Sequence, residues 1–130
     1  MRYLGIDFGT KKVGLALSDE AGAMGFPHGI IPNDGRLIDE ILNLIERKNV
    51  EAVVMGESKD FAGNANAVAK DAKAFAQLLE QRGNIPVHFE PEMLTTQEAR
   101  RLFDGSRGPG HTDVDASAAA LILTSFLSRP

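Results

Sequence analysis

Apolar residues recur along this chain with two different periods. Leu4, Ile6 and Phe8 alternate with Tyr3, Gly5 and Asp7, and after GTKK at 9–12 the alternation resumes as Val13, Leu15 and Leu17 against Gly14, Ala16 and Ser18. A period of two predicts strands, and the glycine-bearing GTKK between them predicts a tight turn, so Arg2 to Phe8 and Val13 to Ser18 form a hairpin. A third short strand is expected at Phe26 to Ile31, held to a sheet edge by Pro27. The period then changes: apolar residues at 37, 38, 41, 42 and 45 make a helical stripe that ends near Lys48, with basic residues in its last turn.

EAVVMG at 51–56 is an unbroken apolar run, the pattern of a parallel strand covered on both faces. The loop ESKDFAGNAN leads into a second helix with apolar positions at 65, 68, 69, 72, 75, 76 and 79, stopped by Gly83. Val87 to Glu90 follows Pro86 as a strand. Thr95 and Glu98 form a capping box that starts a helix to about Phe103. DGSRGPGHT at 104–112 carries three glycines and a proline and is expected to be mobile, before an Ala-rich helix from about Asp113 to Leu127. Three antiparallel strands followed by crossover helices to two parallel strands predict an α/β fold, a mixed five-stranded sheet with helices on both faces. That is the ribonuclease H-like arrangement, and the 130 residues suffice for one such domain.

Composition removes several classes of function. The chain has no Cys, which excludes disulfides, thiolate zinc sites and a cysteine nucleophile and suits a reducing compartment. No apolar stretch reaches the roughly 20 residues that span a bilayer, and MRYLGIDFGT lacks the apolar run of a signal peptide, so a cytoplasmic protein is expected. Fourteen basic against 18 acidic side chains leave a net charge of −4, which argues against nucleic acid unless some carboxylates gather to hold cations.

Asp7 departs from the apolar pattern. Alternation sets it on the face of Tyr3 and Gly5, where Gly14 and Ala16 are expected across the hairpin, and such small neighbours leave room for a ligand. An Asp there also suits a cap on the turn through the Gly9 and Thr10 amides. Ligands of open α/β sheets bind beyond the carboxyl ends of parallel strands. Asp7 ends the first strand, Glu57 the fourth, Glu90 and Glu92 the fifth, while Asp113 and Asp115 open the last helix. Right-handed crossovers make strands one, four and five neighbours, so three or four acids are expected around one spot.

Like charges so close require a cation, and Mg²⁺, with Mn²⁺ as the alternative, takes oxygen ligands and is completed by phosphates. Two such ions about 4 Å apart activate water and stabilise the leaving oxygen in phosphodiester hydrolysis. Setting aside Asp7, Glu57, Glu92 and Asp115 brings the charge from −4 to zero, which admits a phosphate substrate. Each acid has a plainer use: Asp115 as the acidic partner of Thr112 in a capping box, Asp113 as an N-cap, and Glu57, Glu90 and Glu92 as solvated loop carboxylates. Lys11, Lys12, Lys59, Arg100, Arg101 and Arg107 are candidates for a nucleic-acid backbone. His111 is a candidate for proton transfer, whereas His28 and His88 show no partner spacing.

GIDFGTKKVGLALSD at 5–19, Gly56 with Gly63 beyond it, LTTQEA at 94–99 and VDASAAALILTSFL at 114–127 together resemble the YqgF family, also called RuvX or Holliday-junction-resolvase-like proteins. The resemblance implies a metal-dependent nuclease that processes the 5′ end of precursor 16S ribosomal RNA. It sets the family's first-strand aspartate on Asp7 and its final-helix aspartate on Asp115, as DASAA. The family's D-E-R-L-T-T reads PEMLTT here, so Glu92 keeps the glutamate while Pro91 and Met93 replace its neighbours. Where the family has G-L-P, this chain has Gly56, Glu57 and Ser58. Two site models follow: Asp7, Glu92 and Asp115, or these with Glu57 as a replacement or added ligand.

The resemblance also implies structured RNA or ribosome precursors as partners; the lack of a long apolar stretch predicts no membrane, and a monomer or weak homodimer is expected. Three rivals remain open. One is a junction-cleaving DNA endonuclease, and another is an RNA-binding assembly factor whose site has decayed. The third is the actin and sugar-kinase class, whose D-x-G-T turn grips ATP but needs two domains.

Overall fold

A computed structural model describes residues 1–57, 67–91 and 111–128. Strands β1 (Arg2–Phe8), β2 (Lys12–Ser18), β3 (Gly25–Pro32), β4 (Val50–Glu57) and β5 (Val87–Pro91) form one sheet in the order β3-β2-β1-β4-β5. The pairs β1–β2 and β2–β3 are antiparallel, and β1–β4 and β4–β5 are parallel. This is the expected ribonuclease H-like architecture, with Pro27 on an edge strand, where its missing N–H breaks no interior ladder.

Helix α1 (Leu37–Lys48) has the bounds its stripe predicts. Leu37, Ile41 and Leu44 are its buried side, and Asn49 ends it in the left-handed region at φ 54°. Helix α2 is Ala67–Gly83 and the last described helix, α3, is His111–Leu127. The helix expected over 95–103 lies outside the described residues, as do 104–110 of the segment expected to be mobile. Two local expectations change: α3 begins at His111, so Asp113 is inside the helix rather than its N-cap, and Thr112 does not open a capping box. The last helix breaker before Asp113 is Gly110, and nothing at 111 or 112 opposes helical dihedrals.

The two faces of the sheet are packed differently. Leu4, Ile6, Val13, Leu15, Val53 and Met55 meet α1 and α2 through Ile41, Leu44, Ala76 and Leu79. Each large side chain buried there contributes about 1.5–3 kcal/mol. The opposite face packs Ala16 and Val54 against Ala119, Ala120, Ile122 and Leu123 of α3. There the helix comes close to the backbone: a Cβ on Gly5 would stand 2.9 Å from the Ala119 carbonyl oxygen and 2.9 Å from Leu123 Cβ. Small residues on both sides thus set how near α3 lies to β1.

Candidate active site

The parallel strands β1, β4 and β5 bring their carboxyl ends to one edge of the sheet. Asp7 pairs with Gly14 across β1–β2, Ile6 pairs with Met55 across β1–β4, and Gly56 pairs with Glu90 across β4–β5. Continued one residue past Ile6 and Met55, this register sets Gly14, Asp7, Gly56 and Glu90 in a row over four strands. Neighbouring strands lie about 4.8 Å apart, so the backbones of Asp7 and Glu90 are about 10 Å apart.

The row belongs to the face covered by α3. Asp7 follows Gly5 by two residues, and Gly5 lies under Ala119 and Leu123, so alternation puts the Asp7 side chain on that face. It is half-buried. Its neighbours in the row, Gly14 and Gly56, have no side chain to fill the space beside the carboxylate. Glu90 is 2% exposed and accepts a hydrogen bond at 2.7 Å from Ser125 Oγ of α3. The sequence places Glu90 at the end of the fifth strand among the converging acids, with a solvated carboxylate as the plainer alternative. The strand position holds, and the solvated alternative does not: Glu90 is shielded by a helix from the far end of the chain. The signal available was parity, since Val87 and Phe89 alternate with His88 and Glu90.

Helix α3 runs antiparallel to β1. Phe126 contacts Tyr3 with ring centroids 6.0 Å apart, and Leu123 and Ala119 lie over Gly5. The earlier turns of α3 therefore extend toward the Asp7 end of the strand, and Asp115 is one helical turn before Ala119. Glu57 is the last residue of β4, in register with Pro91. Glu92, Lys59, Arg100, Arg101 and Arg107 lie outside the described residues, as do the side chains of Glu57, His111, Asp113 and Asp115. Among the described residues no three His, Asp or Glu side chains are grouped closely enough to hold a metal ion.

The β1–β2 turn carries Lys11 and Lys12, both exposed beside the Asp7 end of the sheet. A Cβ on Gly9 would come within 2.5 Å of the Lys12 carbonyl oxygen, so the turn closes this tightly because residue 9 is glycine. Asn33 braces it from the far end of β3. Its Nδ2 donates to the Gly9 carbonyl at 2.7 Å and its N–H to the Lys11 carbonyl at 2.9 Å. Sequence reasoning missed Asn33, whose partners are 24 and 22 residues away.

The remaining histidines have local roles. His88 stacks on Phe126 with centroids 5.2 Å apart. Burial, then the charges of Lys48 and Arg47, hold His28 below its usual value. A cleft of about 260 Å³ lined by Met1, Arg2, Glu20, Lys48, Asn49 and Glu51 lies at the opposite end of the sheet, by the amino ends of β1 and β4. No described helix is long and apolar enough to cross a membrane.

A mixed sheet in this order, with α3 laid over the face that carries Asp7, is the ribonuclease H-like fold of the junction resolvases. The T. thermophilus RuvC in complex with a Holliday junction substrate matches with a TM-score of 0.63 over 98% of this chain and 96% of that one, at 19% identity. The fowlpox virus Holliday junction resolvase matches with a TM-score of 0.54 over 98% of each chain, at 15% identity. Within that fold the chain belongs to the family described as RuvX: Holliday junction resolvase, whose model covers residues 1–129. It is thus a member of a nuclease family. A relative from Nitratidesulfovibrio vulgaris (strain DSM 19637 / Miyazaki F), named "Putative pre-16S rRNA nuclease", is 35% identical over 100% of this chain and 95% of its own. One of the same name from Streptococcus suis (strain 05ZYH33) is 34% identical over 99% of both.

Proposed function

We propose that this protein is a divalent-metal-dependent phosphodiesterase that acts on structured RNA and trims the 5′ end of precursor 16S ribosomal RNA. The observation that carries the reading is Asp7, half-buried at the carboxyl edge of the parallel strands, with glycines at both neighbouring positions and α3 laid across its face. The names of the full-length relatives support the RNA substrate.

The donor chemistry fits a hard cation. Carboxylate oxygens suit Mg²⁺ or Mn²⁺, the chain offers no thiolate, and the glycine-flanked position leaves space beside Asp7. Asp7, Glu92 and Asp115 would hold the ion, with Glu57 auxiliary. When bound, the metal neutralises charge on the scissile phosphate and lowers the pKa of the attacking water. Water oxygen bonds to phosphorus as the bond to the leaving oxygen breaks, leaving one phosphate end and one hydroxyl end. Lys11 and Lys12 hold backbone phosphates on a turn kept rigid by Asn33, and Lys59, Arg100 and Arg107 extend that contact.

The test is a panel of precursor 16S RNA, single-stranded RNA and a four-way DNA junction, each with Mg²⁺ or Mn²⁺, using the wild type and Asp7→Asn. Metal-dependent cleavage of the precursor RNA by the wild type alone is expected. Cleavage of the junction alone would replace the RNA reading with the resolvase one. Tight RNA binding without cleavage under either metal would leave an assembly factor.

A further inference from the structure

Helix α3 is tied to the sheet at two adjacent residues that reach in opposite directions. Ser125 Oγ donates to the buried Glu90 carboxylate on β5 at 2.7 Å, and Thr124 Oγ1 accepts the Gly25 backbone N–H of β3 at 3.0 Å. β5 and β3 are the two outermost strands. Between them, Leu123 sits over both Gly5 and Gly25, where added Cβ atoms would come within 2.9 and 3.0 Å of its Cβ. The helix rests closely on bare backbone at its centre and is held laterally on both flanks.

The apolar contacts of Ala119, Ala120, Ile122 and Leu123, with Phe126 against Tyr3 and His88, set the spacing of α3 and part of its direction, and none of these α3 side chains makes a hydrogen bond across the sheet. The two flanking hydrogen bonds add directional restraint to that packing. Both lie in the C-terminal half of α3, and Asp115 lies ten residues earlier in the same helix. Ten residues span about 15 Å, so a swing of about 10° about Ser125 carries the Asp115 backbone about 2.5 Å. A misplacement of about 1 Å can cost a catalytic site about 10²-fold.

We infer that Glu90 is a positioning residue: through Ser125 it helps fix the direction of α3 over the sheet, and so where the helix backbone at Asp115 lies relative to Asp7. The inference deepens the site reading above and rests on it for the role of Asp115. It also gives a use to a carboxylate buried two strands from Asp7, where burial of a polar group calls for hydrogen-bond partners. Glu90 acts through the helix and needs no contact with substrate.

The experiment uses the full chain, which has no cysteine of its own, with spin labels on Gly35→Cys and Thr112→Cys. Nothing lies within 4 Å of a Cβ at Gly35, so a label there disturbs no packing. Distance distributions between the labels, and Mn²⁺ affinity of the unlabelled protein, are measured for wild type, Ser125→Ala, Glu90→Ala, Glu90→Gln and Val53→Ala. Gln keeps an acceptor oxygen for Ser125, and Val53→Ala destabilises the opposite face without touching α3.

Ser125→Ala and Glu90→Ala should shift or broaden the distances by about 2 Å or more and weaken Mn²⁺ binding about 10-fold. Glu90→Gln and Val53→Ala should leave both near wild type. Unchanged distances in Ser125→Ala and Glu90→Ala would overturn the inference. So would altered distances with unaltered Mn²⁺ affinity in a protein whose binding is abolished by Asp7→Asn. Mn²⁺ binding indifferent to Asp7→Asn removes the site reading itself, and the distances then decide the anchoring alone.

Discussion

Asp7 stands directly opposite Gly14 in the antiparallel β1–β2 ladder, so the carboxylate at the end of the central strand has a cross-strand neighbour without a side chain. The residue paired with it on β2 adds no side chain to the space beside the carboxylate. Asp7→Asn preserves size and strand geometry, and should leave the far-ultraviolet spectrum unchanged and the melting temperature within a few degrees. Under the proposed function, RNA cleavage falls by more than about 100-fold, the scale that changes in residues behind a metal ligand already reach. Melting curves and single-turnover cleavage on the same preparations check both parts. A variant that unfolds would make Asp7 a structural residue first.

Gly5 tests the close approach of α3. A methyl group there would stand 2.9 Å from a backbone oxygen and from Leu123 Cβ, neither of which can swing away as a side-chain tip would. Gly5→Ala should therefore cost about 1–3 kcal/mol despite the better strand propensity of alanine. Urea denaturation should show a lower midpoint with an unchanged slope. A neutral or stabilising result would mean that α3 sits farther from β1 than the fold described here requires.

Much of this fold was legible because its signals are local. The stripe of Leu37, Ile41 and Leu44, with Arg47 and Lys48 in the last turn, fixes α1, and Pro27 marks the edge strand. Alternation alone put Asp7 on the face of Gly5, Gly14 and Ala16. The missed features are tertiary. Within a five-residue strand nothing local marks Glu90 as buried, and the helix that covers it comes with Ser125, 35 residues on. Asn33 sits in a polar stretch, and its bracing of the hairpin turn depends on β3 returning alongside β2. The start of α3 was misplaced because an Asp suited to N-capping was read as the boundary, although the sequence holds no breaker between Gly110 and Asp113.

His28 gives a pH signature far from the proposed site. Burial disfavours its charged form, and Lys48 and Arg47 add repulsion, so it titrates below 6.5 in the folded protein. The unfolded chain then binds the proton more readily than the folded one. Stability from this residue is complete above the unfolded value of 6.5 and is lost as pH falls through the window beneath it. A histidine-resolved proton titration should give a midpoint below 6.5 that rises in Lys48→Met. A midpoint at or above the free value would show that the α1 terminus does not act on β3.

The β1–β2 turn offers the most direct test of how nucleic acid is held. Lys11 and Lys12 are exposed on a turn whose shape is fixed by Gly9 and braced by two hydrogen bonds from Asn33, so their charges are presented from a rigid support. Each phosphate contact removed should flatten the dependence of log affinity on log salt by about 0.7 to 0.9. Lys11→Ala and Lys12→Ala are therefore expected to lower the slope separately and additively, with losses similar for precursor RNA and unrelated RNA, because phosphate contacts carry no sequence information. Asn33→Ala retains both charges but loosens the turn. It should weaken binding with little change in slope, since the same cations are held in less favourable positions. Binding isotherms from 50 to 200 mM salt, about a two-fold change in Debye length, separate the two effects. A slope untouched in the double lysine variant would move the nucleic-acid path away from this hairpin.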